Sequence, residues 1–283
     1  MKQANIDLHV HSSMSDGTDT PEELVRFAKA KGLCAIALTD HDTVAGVRRA
    51  QCEGKRCGVE VVPGVELSAY DGREIHILGY GIQTEHPALT AFLQHMHESR
   101  LERVRAIVRN LSGNGFPISW EEVQPLAQHM VSRVHVAQIL VKKGYMSTLR
   151  EAFERLIGEG KPYYEPKRKI SPQETIHAIH QAGGIAVLAH PYLLHCDENL
   201  EEVLAQLPGL DGIECQYPRH SWAQYKRYSS IAQGRGLLET GGSDYHGKNR
   251  PEVELGEGCQ GQNISGDLLI KLKQRIKNGD EME

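Results

Sequence analysis

The sequence predicts an α/β barrel carrying a helical insertion. Three observations lead there. Short aliphatic runs alternate with helical patterns through most of the chain, a long central stretch carries helical patterns only, and a hairpin pattern interrupts the alternation once. At 283 residues the chain can bury a sizeable core, either as one large barrel or as two smaller domains.

Strand-like runs occur at 5–10 (NIDLHV), 34–39 (CAIALT), 59–63 (VEVVP), 185–189 (IAVLA), 211–216 (DGIECQ) and 237–241 (LLETG). Helix starts lie between them. Thr20-Pro21-Glu22-Glu23 supplies an N-cap, a proline at the first helical position and an acid three residues after the cap, and Ser171-Pro172-Gln173-Glu174 repeats the pattern. Strands alternating with helices imply a parallel sheet covered on both faces, and this many units imply closure into a barrel. Residues 66–80 read instead as two strands around an Asp71-Gly72 turn, which argues against a regular eight-fold barrel. From 87 to 166 helices are expected at 87–112, 119–128 behind Ser119, 132–143 behind Ser132, and 147–157. The organisation expected is a barrel from 1–98 and 167–283, with 99–166 inserted.

Apolar residues at 40% and charged residues at 24% are ordinary for a globular chain, and no apolar run approaches a bilayer span. The absence of a signal pattern suggests a cytoplasmic setting. The cysteines (Cys34, Cys52, Cys57, Cys196, Cys215, Cys259) form no C-x-x-C pair, so neither a disulfide framework nor a zinc ribbon is expected. Cys34 and Cys215 lie in apolar runs, where cysteine packs as a small hydrophobe. The net charge of −5 is divided unevenly: residues 98–169 hold 13 Lys/Arg against 8 Asp/Glu, leaving 19 against 29 elsewhere. An acidic body suits collection of cations, and a basic segment suits presentation of phosphate.

The chemistry begins at Asp7-Leu8-His9-Val10-His11. Alternate strand residues point the same way, so His9 and His11 converge, and neutral imidazoles so placed are natural ligands of divalent metals. A lone H-x-H is more often packing. Here, however, Thr39-Asp40-His41-Asp42 follows the second strand, Glu66 closes Pro63-Gly64-Val65-Glu66, and His76 lies on the hairpin. His190 ends a later strand in Ala189-His190-Pro191, and Gly242-Ser243-Asp244-Tyr245-His246 follows the last. These positions sit at or near strand ends, the face where parallel barrels build active sites. Charges and imidazoles gathered there would be costly in a core and are satisfied by metal ions. Asp16, in Ser15-Asp16-Gly17, reads by itself as a turn residue.

Together D-L-H-V-H-S…S-D-G, T-D-H-D, P-G-V-E, H-I-L-G, A-H-P and G-S-D-Y-H resemble the PHP family, named for polymerase and histidinol phosphatase. The resemblance implies a distorted seven-stranded (βα) barrel and a nine-ligand site for two to three divalent ions, with manganese expected and iron or zinc compatible. It places His9, His11, Glu66 and Asp244 on one ion. Glu66 bridges to a second held by His76 and His190, and Asp16, His41 and His246 hold a third. Such ions polarise phosphoryl oxygens and turn a bound water into a hydroxide nucleophile, so no covalent serine or cysteine is required.

Within the family, the S-D-G, the insertion, Ser132-Arg133-Val134-His135, Gly160-Lys161-Pro162-Tyr163-Tyr164 and Tyr217-Pro218-Arg219-His220 resemble the 3′,5′-nucleoside bisphosphate phosphatases. Related members trim short oligonucleotides from the 5′ end. The implied reaction is hydrolysis of the 3′-phosphate of adenosine 3′,5′-bisphosphate or a near relative, with 99–166 as a substrate cap. Ser132 starts a helix whose amides favour an anion, Arg133 adds a fork for phosphate, and Lys161 brings a point charge on a glycine-rich loop. Tyr164 is a candidate for base stacking, and His135 and His220 for substrate contact, His220 also as proton donor to the leaving group. No protein partner is implied. The alternatives are a histidinol-phosphate phosphatase, disfavoured by Asp16 and the basic insertion, and a non-catalytic metal-binding module, disfavoured by nine competent ligands.

Overall fold

A computed structural model of the protein describes residues 5–126, 131–166, 169–195 and 199–280, with side chains to 277. The chain divides into two compact units, residues 1–92 with 169–283, and residues 93–168.

The first unit is an α/β barrel. Its strands are β1 (Asn5–Val10), β2 (Leu33–Leu38), β3 (Glu60–Tyr70), β4 (Glu74–Tyr80), β5 (Ile185–Leu188), β6 (Gly212–Gln216), β7 (Leu238–Gly241) and the two-residue β8 (Ile264–Ser265). The sheet order is β7-β6-β5-β4-β3-β2-β1-β8. Neighbours from β1 to β3 and from β5 to β7 are parallel, whereas β4 runs antiparallel to both β3 and β5. The run at 59–63 and the first arm of the hairpin, read separately in the sequence, are therefore one continuous strand. β8, antiparallel to β1, is too short to leave a pattern and raises the expected seven strands to eight.

The sheet nearly closes where the chain leaves β7. Val10 bridges Tyr245, the His11 amide donates to the Tyr245 carbonyl at 2.9 Å, and the Asp244 amide donates to the His9 carbonyl at 2.8 Å. Gly242 permits this approach, because a Cβ there would lie 2.1 Å from the His9 Cβ. Inside the barrel Ile6, Leu8, Val62, Leu78 and Val187 pack with Leu272 of the C-terminal helix. Outside, the helix α1 (Pro21–Ala30) starts at a Thr20–Glu23 capping box and turns Leu24, Val25 and Ala28 onto β1 and β2. Each fully buried aliphatic side chain of this kind contributes about 1.5–3 kcal/mol, so Leu24→Ala removes one of the principal ties of α1 to the sheet.

The helix α2 (Val47–Cys57) packs on α1 and covers β3, and α3 (Pro87–Ser112) runs without a break across the division into the second unit. That unit holds α4 (Trp120–Val123), α5 (Arg133–Lys142) and α6 (Leu149–Ala152), the last continuing in a π turn through Ile157. The helix expected over 119–128 is shorter: a 3-10 turn, Gln124–Leu126, replaces it where Pro125 lacks an amide donor, and 127–128 lie outside the described residues. Ile107, Leu111, Val136, Leu140 and Ile157 form its apolar centre.

Among the described residues no helix is long and apolar enough to cross a membrane. The five described cysteines are unpaired; Cys215 is buried as expected, but Cys34 is exposed, because its position in β2 faces away from the packed side. Cys196 and His129 lie outside the described residues.

Candidate metal centre

His9 and His11 project from the same face of β1, both fully buried, with their Nε2 atoms 3.1 Å apart. The centre of the cluster is Glu66. One carboxylate oxygen, Oε2, lies 3.3 Å from His9 Nε2, 3.2 Å from His11 Nε2 and 3.0 Å from His41 Nδ1. The other, Oε1, lies 2.9 Å from both His76 Nδ1 and His190 Nε2. Asp244 Oδ1 is 3.2 Å from His11 Nε2 and 3.6 Å from His9 Nε2. Asp16 Oδ1 is 3.1 Å from His246 Nε2 and 3.7 Å from His11 Nδ1, with Oδ2 3.8 Å from His41 Nε2. All nine candidate ligands are thus gathered in one place.

Local backbone explains how. His41 follows β2 and bridges to Glu66, which lies within β3 and not at its end as the sequence suggested. His76 is near the start of β4; because β4 is reversed, its start faces the same end of the barrel as the C-termini of its neighbours. His190 (φ 25°) and Asp244 (φ 57°) occupy the left-handed region that non-glycine residues seldom adopt, and each is pinned through its amide, His190 to Glu214 Oε2 at 2.8 Å and Asp244 to the His9 carbonyl. Asp16 sits on a loop laid against β1, where a Cβ on Gly17 would come within 2.3 Å of the His11 carbonyl oxygen.

Three groups of side chains each offer ligand atoms within 4.8 Å of one another: His9, His11, Glu66 and Asp244; His11, Asp16, His41 and His246; and His41, Glu66 and His76. Glu66 Oε2, His11 Nδ1 and His41 Nδ1 have opposite charges nearby, yet distance or angle denies each of them a hydrogen bond. Lone pairs aimed at a shared space and not at donors fit divalent cations, and mixed imidazole and carboxylate donors suit first-row metals.

The electrostatics agree. Burial alone would raise the Glu66 carboxyl, but His41, His76 and His9 hold it well below its usual range. Burial also opposes ionisation of Asp244 and Asp16, and neighbouring histidines pull both down, His9 and His11 for Asp244 and His246 and His41 for Asp16. Burial would lower His11 and His76; Asp244 and Glu66 instead raise His11 to about 9, and Glu66 raises His76 to about 10. At His41 burial prevails, pushing it down to about 3. The carboxylates are ionised and demand compensating positive charge, which protons or metal ions supply.

Several supporting residues escaped the sequence reading. Buried Glu214 accepts from His9 Nδ1 at 3.0 Å and from the His190 amide. Asp7, raised to about 6 by burial against its hydrogen bonds, accepts from the amides of His9, Ser243 and Gly256 and from the Ser243 hydroxyl. Asp40 accepts from the Ser12 amide and from the Ser12 and Ser15 hydroxyls, each at 2.7 Å, steadying the loop that carries Asp16. Asp244 Oδ2 accepts from Arg250 and, at 3.1 Å, from the Tyr217 hydroxyl, leaving Oδ1 toward the histidines. Asp7 continues the alternation of His9 and His11, a signal that was available; Glu214 and Arg250 carry no local motif.

The candidate substrate residues are less concentrated. His220 is buried in the barrel unit, its Nδ1 2.8 Å from the Cys215 carbonyl and its ring 5.1 Å from that of Tyr217. The rest belong to the helical unit. Arg133 begins α5, donates to the Ile157 carbonyl at 3.2 Å and lies over the rings of Phe153 and Tyr164, 5.5 Å from each. His135 accepts the Ser132 amide through Nδ1 at 3.0 Å, completing the cap of α5. Lys161 is exposed on the turn after Gly158.

A nearly closed barrel with ionised carboxylates and imidazoles converging at one end defines a metal-dependent hydrolase. Comparison with known proteins narrows the class to phosphoesterases. A 3′,5′-nucleoside bisphosphate phosphatase of Chromobacterium violaceum is 36% identical over 96% of this chain and 98% of its own. A 5′-3′ exoribonuclease of Haemophilus influenzae is 36% identical over 85% of this chain and 89% of its own. A solved chain from Bifidobacterium adolescentis, described as a metal-dependent phosphoesterase, superposes with a TM-score of 0.79 at 32% identity, covering 97% of each chain. The PHP domain model matches residues 7–165, and the chain belongs to that family.

Proposed function

We propose that this enzyme hydrolyses the 3′-phosphate of nucleoside 3′,5′-bisphosphates such as adenosine 3′,5′-bisphosphate, and that short oligonucleotides trimmed from the 5′ end are further substrates. The observation that carries the reading is Glu66, whose two oxygens meet five imidazoles and so suit it to bridge two ions. Its support is the near full-length likeness to the Chromobacterium violaceum phosphatase.

In this reading His9, His11, Glu66 and Asp244 would hold one ion, Glu66, His76 and His190 a second, and Asp16, His41 and His246 a third, manganese being the expected metal. When bound, such ions polarise phosphoryl oxygens and lower the pKa of water at the site. The chain's own contribution is orientation. A proton on His9 Nδ1 donated to Glu214 leaves Nε2 with its lone pair toward the cluster, and Arg250 with Tyr217 turns Asp244 Oδ1 inward. Arg133 and Lys161 take the phosphate that is not cleaved, with Tyr164 and His135 contacting the nucleotide and His220 serving substrate or leaving group. The insertion 99–166 acts as the substrate cap, and the unpaired cysteines suit a cytoplasmic setting.

The test is phosphate release from adenosine 3′,5′-bisphosphate, histidinol phosphate and a short oligonucleotide, side by side with manganese. The bisphosphate should give the highest kcat/KM of the two small substrates. Preference for histidinol phosphate would overturn the assignment.

A further inference from the structure

Two adjoining cavities open along α3 in the helical unit. One, about 630 Å³, is lined by Arg103, Arg105, Arg109, Glu102 and Glu165 among others. The second, about 420 Å³, shares Arg105 and Arg109 and adds Trp120. Arg105 lies over the Trp120 ring at 4.8 Å. Arg103 lies over Tyr164 at 5.4 Å, and Tyr164 carries Arg133 over the same ring at 5.5 Å. Guanidinium planes and aromatic rings therefore alternate from Arg133 through Tyr164 to Arg103, and the cavity walls continue to Arg109, Arg105 and Trp120.

Two of the charges here are available. Arg105 and Arg109 are exposed and form no ion pair with a described residue. Of the two acids in the larger cavity, Glu165 already accepts from Asn110 Nδ2 at 2.5 Å, and its carbonyl accepts from Arg103 Nε at 2.7 Å. Arg105 and Arg109 stand one helical turn apart, about 6 Å along the axis. That spacing suits neighbouring phosphates of an extended strand, and the half-exposed Trp120 indole, packed on the apolar centre and covered by Arg105, offers a face to a base once that guanidinium turns to a phosphate.

We propose that this groove is a binding track for single-stranded oligonucleotides, with Arg105 and Arg109 on successive phosphates and Trp120 stacking a base. It rests on the nucleotide reading above and extends it from the terminal nucleotide to the strand beyond. A bisphosphate mononucleotide has nothing to place in the track, so its hydrolysis is independent of it.

The experiment compares the parent enzyme with the double variant Arg105→Glu, Arg109→Glu, both positions being exposed. Binding of a labelled phosphorothioate decamer, as RNA and as DNA, is followed by anisotropy across a salt series, and kcat/KM is measured on an unmodified decamer and on adenosine 3′,5′-bisphosphate. We expect decamer affinity and kcat/KM to fall at least 10-fold. The slope of log affinity against log salt should become shallower by about 1.4, as two lost phosphate contacts require. Hydrolysis of the bisphosphate should stay within twofold. Trp120→Phe should retain decamer binding better than Trp120→Leu, since only the ring stacks. A loss confined to RNA or to DNA supports the track and names its strand. Failure of the parent to bind either decamer, an unchanged salt slope in the variant, or equal losses on decamer and bisphosphate would each overturn the track. A parent that binds and trims the decamer but leaves the bisphosphate intact would overturn the mononucleotide reading and leave the track standing.

Discussion

Glu214→Gln keeps the shape of a fully buried side chain and changes what it can accept. The carboxylate takes one hydrogen bond from His9 Nδ1 and one from the His190 amide, at 3.0 and 2.8 Å. A glutamine oxygen can keep only one of these. If it keeps the backbone amide of strained His190, its NH2 faces His9 Nδ1 and forces that nitrogen to accept. The imidazole proton then moves to Nε2, the atom directed at Glu66, His11 and Asp244, and blocks it as a ligand. Loss of an outer partner of a ligating histidine costs about 10- to 100-fold in metal affinity, about 1.4–2.7 kcal/mol. The fold should lose about 1–3 kcal/mol for one unsatisfied buried donor. Manganese affinity measured by competition with a chelator, together with thermal unfolding in excess chelator, separates the two effects. Glu214→Asp, which retains both acceptors, should recover part of the affinity. Unchanged manganese affinity in Glu214→Gln, with a normal melt, would refute the assignment of Glu214 as the group that sets the His9 tautomer.

Protein purified without chelators should contain two to three divalent ions per chain by elemental analysis, and His9→Ala or Asp244→Asn should abolish most phosphate release. Arg133→Ala and Lys161→Ala should each lower kcat/KM on adenosine 3′,5′-bisphosphate about 10- to 100-fold, with much smaller effects on 3′-AMP; equal losses on both would mean the residues serve the reacting phosphate or the fold. Titration of denatured, unreduced protein should count six thiols, and a count of two or fewer would contradict the reducing setting. Gly242→Ala should destabilise the barrel by several kcal/mol in a chelator-independent melt, because the new Cβ meets the His9 backbone.

The legible part of this protein is what sequence neighbours carry. His9 and His11 can be read because strand alternation guarantees a shared face, and Thr20 and Ser171 because a cap is a local hydrogen-bonding problem. The fusion of two strands into β3 could not be read. Pro63 and Gly64 resemble a strand end, yet both fit within β3: the Pro63 carbonyl still accepts the Gly81 amide, and a Cβ on Gly64 would press on the Leu38 carbonyl oxygen at 3.0 Å. β8 was invisible because two residues make no period.

The supporting shell was hidden for a different reason. Glu214 lies 205 residues from His9, between buried Ile213 and Cys215, so its local sequence resembles a core strand with one misplaced charge. A fully buried carboxylate is nevertheless tolerable only with donors in place, so a lone acid in a buried strand implies partners brought from elsewhere. Asp7 obeys the same rule, with donors from residues 243 and 256. Both acids tie the strand that starts the chain to segments near its end. The metal cluster and the closure of the barrel are consequently one structural event: the segment after β7 that closes on β1 also carries Asp244 and His246. Ligand geometry here depends on barrel closure, and ions held there would, by drawing Asp244 toward His9 and His11, stabilise that closure in return.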